Sequence, residues 1–279
     1  MVAAPFLAFL AWLWFVWPPP AWYRWAWPRS TAFMNMREAE SGADSVARSY
    51  TPVPLASISS DLKYAVLVAE DHRFYEHHGI DYVELRRALG YRRDSFAFSD
   101  SRDRDDLRKA IFAAYDRRDR IRGASTITQQ LAKNLYLSSS RAPLRKVKEA
   151  VLAWRLEYWL GKERILELYV NVAELGPGVW GVEAASQKYF RRSASQLTPS
   201  QGAMLAGTLP FPLRSNPAYR PARMRSRQAL IMRRLRGELA EVPKVVELPE
   251  PPVITMPDSL PLPVIIPDSV VDTTATRQE

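Results

Sequence analysis

The residues of this 279-residue chain best placed to do chemistry are two carboxylates and the polar runs around them. The first run reads Glu70-Asp71-His72-Arg73-Phe74-Tyr75-Glu76-His77-His78-Gly79. Upstream, Leu62, Ala65, Val66 and Ala69 follow an i, i+3, i+4, i+7 pattern, with Ser60-Asp61 as cap residues, and predict a helix ending at Glu70. A carboxylate there lies near the negative end of the helix dipole, which raises its proton affinity and suits a general base. The plainer alternative is a solvated acid, since lone carboxylates are mostly exposed. His72 and His77 are five apart, whereas the zinc helix motif needs i, i+4 with Glu after the first His, where Arg73 stands here. No metal ligand set is expected from these residues.

The second run is Gly123-Ala124-Ser125-Thr126-Ile127-Thr128-Gln129-Gln130-Leu131-Ala132-Lys133-Asn134. Ser and Thr ahead of a helical stretch make a helix N-terminus whose N–H groups could hold an anion. Ser125 as a nucleophile lacks a base, because all three His lie between 72 and 78. An ordinary capped helix is the alternative, but two Gln and a Lys, read as lying on its exposed side, favour binding of a polar substrate. The third group is Arg141, Arg145, Lys146 and Glu149, with Arg145 and Glu149 one turn apart. A surface ion pair is the default reading. Cations converging with a carboxylate could instead hold a pyrophosphate.

Helices dominate the elements that must position these groups. Pro143 opens a stretch in which Leu144, Val147, Val151, Trp154 and Tyr158 share a stripe. Gly161 ends it, Lys162–Val170 reads as the next helix, and 201–209 and 229–239 follow. No run shows the alternation of a half-buried strand, and there is no β-α-β rhythm or solenoid repeat.

Met1–Trp17 has no charged or polar side chain, and six of the nine Trp fall between Trp12 and Trp27. That combination predicts a transmembrane anchor with an interfacial Trp belt over 1–27, followed by a linker at 28–50. A basic start and a small-residue cleavage site, which a signal peptide would carry, are not seen. Arg24 and Arg29 follow the span, so the positive-inside rule taken alone points the body toward the cytoplasm. Residues 241–279 form a Pro-rich tail expected to be disordered, with eight Pro from 243 onward.

Net charge is +9, and the body before residue 243 carries +13, which calls for an anionic partner. The lack of cysteine excludes disulfide scaffolds, thiol catalysis and Cys-based metal sites.

In order and spacing these runs resemble one family. Glu-Asp-x-x-Phe-x-x-His-x-Gly at 70–79, Gly-Ala-Ser-Thr-Ile-Thr-Gln-Gln at 123–130 with Lys133-Asn134, Arg-Lys-x-x-Glu at 145–149, and Lys-x-x-Ile-Leu-Glu-x-Tyr-Val-Asn at 162–171 are similar to the signature blocks of the family 51 peptidoglycan glycosyltransferases. The similarity covers about residues 50–215, and the chain resembles the monofunctional biosynthetic branch, with no transpeptidase segment after Leu239.

The resemblance implies a mainly α, lysozyme-like domain over 51–240. It also implies a single-pass inner-membrane protein with its catalytic domain on the periplasmic side. The implied substrates are lipid II and the growing glycan strand. Glu70 stands at the family's base and Glu149 at its second carboxylate, which assists pyrophosphate departure together with a divalent cation, Mg or Mn. Asp71, Phe74, His77, Gly79, Ser125, Thr126, Gln129, Gln130, Lys133, Asn134, Arg141, Arg145 and Lys146 stand at substrate-binding positions. Further partners implied are penicillin-binding proteins or the divisome and elongasome, with no nucleic acid.

Chemistry agrees with an asymmetric pair of carboxylates. A glycosidase keeps one acid protonated for a poor leaving group, whereas pyrophosphate leaves well and needs cations. The sequence presents Glu70 as the carboxylate free of cations and Glu149 as the one among them. Residues 82–122, with twelve basic and eight acidic groups, are longer than the family's usual link and read as an interfacial helix or a charged loop, with the loop favoured. Two other functions remain: a lytic enzyme cutting glycan strands, and an inactive membrane-anchored scaffold.

Overall fold

The computed structural model describes residues 20–41, 46–89, 99–116, 125–136 and 145–238. The expected anchor at Met1–Trp17, Arg141, residues 90–98 and 117–122 of the 82–122 stretch and the Pro-rich tail lie outside these residues. Among the described residues, no helix is long and apolar enough to cross a membrane.

A 3₁₀ turn at Pro20–Arg24 precedes helices α1 (Ala32–Ser41), α2 (Ser60–Glu70), α3 (Tyr82–Leu89) and α4 (Ser101–Asp116). Then come α5 (Ile127–Tyr136), α6 (Arg145–Trp159), α7 (Lys162–Val172), α8 (Val182–Phe190), α9 (Pro199–Thr208) and α10 (Ala222–Leu235). Strands β1 (Ser49–Tyr50), β2 (Glu174–Gly176) and β3 (Val179–Trp180) form one small sheet in the order β1-β3-β2. β1 runs parallel to β3, with Ser49 beside Val179, and β2 is antiparallel to it. The described part is mainly α, as the periodicity predicts. The strands escaped it because two or three residues are too few to alternate.

The N-cap of α2 is Ser59, one residue before the expected Ser60. The Ser59 side chain accepts from the Leu62 N–H, and Leu62, Ala65, Val66, Leu67 and Val68 are buried. Its neighbours are α9 and α10. Gly202 on α9 lets the two backbones approach, since a Cβ there would lie 3.0 Å from Leu62 Cα. Thr198 and Gln201 form a capping box that starts α9, with Pro199 in its first turn. Helix α5 packs against α1, α6 and α7, burying Ile127, Leu131, Ala132 and Leu135.

Four expectations are corrected. The 82–122 stretch, favoured as a charged loop, carries α3 and α4 in its described residues, where charged residues that do not break a helix give the apolar period too little to show. Residues 28–50 are not a linker: they supply α1 and β1, and Met34 is fully buried. The stripe expected to bury α6 faces outward, with Trp154 63% and Tyr158 72% exposed and Val147 also exposed. Leu152, Ala153 and Leu156 turn inward instead, alongside Glu149. The helix is apolar on two sides, so the period alone could not choose between them. The last helix starts at Ala222, well before the expected 229; the polar and basic residues of its N-terminal half gave no apolar period to read.

The chain between Tyr23 and Trp27 is seated on the domain rather than leading away from it. Arg164 donates to the Tyr23 carbonyl at 2.6 Å and the Ala26 carbonyl at 2.9 Å, and its guanidinium stacks on Trp27. Arg24 donates to the Trp159 carbonyl at 3.0 Å. Trp22 and Trp25 remain exposed.

Candidate active site

Helix α2 delivers Glu70 at its last residue, where the final carbonyls have no intrahelical donors. Its side chain is 11% exposed, so the carboxylate is largely buried yet still open to solvent. Gln130 Nε2 donates to Glu70 Oε2 at 3.0 Å, and Arg227 Nη2 donates to Glu70 Oε1 at 3.0 Å. Burial is the largest influence and pushes the Glu70 pKa up; the Gln130 hydrogen bond, Arg227 and Lys133 pull it down, and Asp71 adds to the rise. The expectation of a carboxylate free of cations is therefore corrected. Arg227 stands 157 positions downstream, out of reach of any local motif.

Gln130 is held in turn by Tyr169. The tyrosine is buried on α7, and its hydroxyl donates to Gln130 Oε1 at 2.9 Å. Burial raises the Tyr169 pKa well above its ordinary value, so the hydroxyl stays a donor. A donor on Oε1 fixes which end of the amide faces Glu70. Nothing in the sequence pointed to Tyr169 beyond its place in the 162–171 run.

The second carboxylate, Glu149, is buried on α6. Lys146 Nζ donates to its Oε2 at 3.0 Å and to Ser125 Oγ at 2.7 Å, tying α6 to the start of α5. Ser125 lies two residues before α5 and Gln130 near its start, so one short stretch of chain contributes to both carboxylate sites. The Arg145 backbone opens α6.

Several expected binding residues make hydrogen bonds within the domain. Thr126 and Gln129 form a capping box for α5: the Gln129 N–H donates to Thr126 Oγ1 at 3.1 Å and the Thr126 N–H to Gln129 Oε1 at 3.2 Å. Gln129 is thus buried, not on the exposed side. The Thr126 hydroxyl donates to the Gly79 carbonyl at 2.6 Å. Gly79 has φ +87°, and a Cβ there would lie 3.2 Å from the Ala153 carbonyl carbon, so glycine fits a tight passage against α6.

Asp71 accepts from the Ile127 N–H at 2.9 Å and lies 3.0 Å from His77 Nε2, which couples the end of α2 to the start of α5. Phe74 is fully buried beneath the Lys162 ammonium. Asn134 is buried as well, while Ser125, Gln130, Lys133 and Lys146 retain exposure.

Asp71, His77 and Asp81 bring ligand-type atoms within 4.8 Å of one another. Asp81, however, caps α3 through the Val83 and Glu84 N–H groups and has Arg73 at 3.5 Å. A guanidinium at that distance opposes a cation, and we assign the trio to the scaffold. A further buried carboxylate, Glu174 on β2, pairs with Arg37 at 3.2 Å, and burial raises its pKa. The sequence reading missed it. Lys133 stabilises the anionic forms of both Glu70 and Glu174.

A mainly helical domain that presents two buried carboxylates in different electrostatic settings is equipped for acid–base chemistry on sugars. The chain matches the family described as Transglycosylase over residues 38–236. It is 42% identical over 221 residues to the biosynthetic peptidoglycan transglycosylase of Bordetella avium (strain 197N), covering 77% of this chain and 83% of that protein. It is 39% identical over 216 residues to the protein of the same name from Thiobacillus denitrificans (strain ATCC 25259 / T1), covering 76% and 83%. With that of Azoarcus sp. (strain BH72) the identity is 38% over 246 residues, covering 86% and 94%. The chain belongs to the transglycosylase family.

Proposed function

We propose that the protein is a peptidoglycan glycosyltransferase of bacterial cell-wall synthesis, polymerising lipid II with undecaprenyl pyrophosphate as leaving group. One observation carries the reading. Glu70 and Glu149, joined through the first turns of α5, have separate partners: an amide and a guanidinium for one, an ammonium and a hydroxyl for the other. Glu70 is the base. It takes the proton of the acceptor sugar's 4-hydroxyl while that oxygen attacks the donor's anomeric carbon, with inversion and loss of the diphosphate.

The diphosphate binds near Glu149, toward Lys146, Ser125 and Lys133, with Arg141, Arg145 and Asn134 completing the site. Glu149 would hold a divalent cation shared with the substrate once the Lys146 ammonium, 3.0 Å from its Oε2, has moved onto the diphosphate, since a carboxylate oxygen plus phosphate oxygens is how Mg²⁺ is commonly held. Such an ion, when bound, supplies charge neutralisation to the leaving group. Lys146 donates to Ser125 and Glu149 now and is free to swing onto phosphate oxygens.

The domain is lysozyme-like and works at the outer face of the inner membrane, anchored by Met1–Trp17, with a Pro-rich tail beyond the catalytic domain. Exposed Trp22, Trp25, Trp154 and Tyr158 support that seat, since Trp and Tyr favour the lipid–water interface. Penicillin-binding proteins or other wall-synthesis proteins are the proposed neighbours. The test is to supply detergent-solubilised protein with labelled lipid II and, separately, with preformed glycan. Long strands from lipid II are expected. Fragments from preformed glycan with no polymer from lipid II would overturn the reading in favour of a lytic enzyme.

A further inference from the structure

Helix α10 brings two arginines to the end of the helix that carries Glu70. Arg227 Nη2 donates to Glu70 Oε1 at 3.0 Å and lies 3.4 Å from the Ala69 carbonyl. Two turns later, Arg234 Nη1 donates to the Val68 carbonyl at 3.2 Å. Both therefore serve the last turn of α2, where carbonyls lack helical donors and positive charge is favoured. Arg233 and Arg236, in contrast, are exposed and engage Glu238. Arg227 differs from all of these in reaching a side chain of the site. Its shorter contact goes to the carboxylate, not to the helix end.

We infer that Arg227 is a positioning residue for the reaction, orienting Glu70 and keeping it ionised so that it can act as base. The inference rests on the role proposed above for Glu70. The carboxylate is gripped at both oxygens, by Arg227 on one and Gln130 on the other. Each oxygen has two lone-pair directions, so one donor apiece leaves room to accept the hydroxyl proton.

The groups facing Glu70 come from three helices and its own C-cap. Arg227 of α10 and Lys133 of α5 favour the anion, Asp71 opposes it, and Tyr169 of α7 is neutral and bonded to Gln130. The charge of Lys133 acts on Glu70, and Arg227 donates a hydrogen bond to the same carboxylate. A buried carboxylate without that partner would hold its proton and could not accept another. Once Glu70 has taken the acceptor's proton, the same positive charge favours its loss to water, which resets the base for the next addition.

The test compares wild type, Arg227→Gln and Arg227→Lys by the pH dependence of lipid II polymerisation, with melting temperatures at each pH. Arg227→Gln is expected to move the acidic limb of kcat/KM upward by about one pH unit, approaching the wild-type rate as the medium becomes alkaline. Arg227→Lys, which keeps the charge, should leave the limb within about 0.3 unit and lose rate only. A loss for Arg227→Gln that is the same at every pH would overturn the inference and leave Arg227 a helix clamp.

Should Arg227→Gln fail to fold, Arg227→Met, which keeps the packing of the stem, carries the same expectation. Infrared titration of Glu70, read as wild type minus Glu70→Gln, gives a readout without turnover. If wild type makes no polymer, the proposed function fails. The infrared shift on removing Arg227 then still decides whether this residue sets the ionisation of Glu70.

Discussion

Replacing Tyr169 by Phe deletes one oxygen from the middle of the core and tests whether the base is held by a relay. The Tyr169 hydroxyl gives its proton to Gln130 Oε1 at 2.9 Å, and that donation obliges Gln130 Nε2 to face Glu70 Oε2, 3.0 Å away. Without the hydroxyl, Gln130 Oε1 loses its partner in a largely buried setting, at a cost of about 1–3 kcal/mol. For a domain of this size the melting temperature should fall by roughly 2–4 °C for each kcal/mol.

The amide is then free to turn its carbonyl toward the carboxylate, which repels it. A hydrogen bond to a charged acceptor contributes about 1.5–3 kcal/mol. Losing it from the proposed base should lower kcat roughly tenfold to a hundredfold. KM should hardly change, since Tyr169 is buried and cannot touch a substrate. The assay is strand formation from labelled lipid II, alongside a thermal melt of both proteins. Turnover within about twofold of wild type, with the expected fall in melting temperature, would refute the relay and leave the hydroxyl a purely structural group.

Three further outcomes follow from the same geometry. Burial raises the Glu70 pKa, and an acid of raised folded pKa stabilises the fold while protonated and loses that contribution as pH rises through the folded value. Glu70→Gln should therefore melt above wild type near about pH 8, the difference closing toward about pH 4, in a series of thermal melts. Glu149→Gln should lower turnover by about a hundredfold or more and abolish any stimulation by added Mg²⁺, measured as polymerisation against metal concentration. Gly79→Ala forces a left-handed residue and a Cβ against the Ala153 carbonyl, and should cost roughly 1–3 kcal/mol in denaturant unfolding.

What the sequence disclosed depended on how far apart the cooperating residues lie. Glu70 at the end of α2 was legible because an apolar period stops there. The carboxylate–ammonium cluster was legible because Lys146 and Glu149 sit within one turn of α6. Arg227 was not, because the contact that matters exists only after α10 has packed on α2. The Thr126-x-x-Gln129 spacing is a recognisable capping box, and its burial corrects the expectation that Gln129 lies on the exposed side. Helix α6 carries two apolar stripes, and the sequence reading named only the one bearing Trp154 and Tyr158. Only the seating of Glu149 inward, beside α5, decides which side faces the core.

The central claim is that Glu70 performs proton transfer rather than holding the fold or the substrate. Its most direct test is to measure lipid II binding and strand formation side by side for wild type and Glu70→Gln. The account predicts binding close to wild type, a folded protein, and no strands. Strands made by Glu70→Gln at a rate near that of wild type would contradict it.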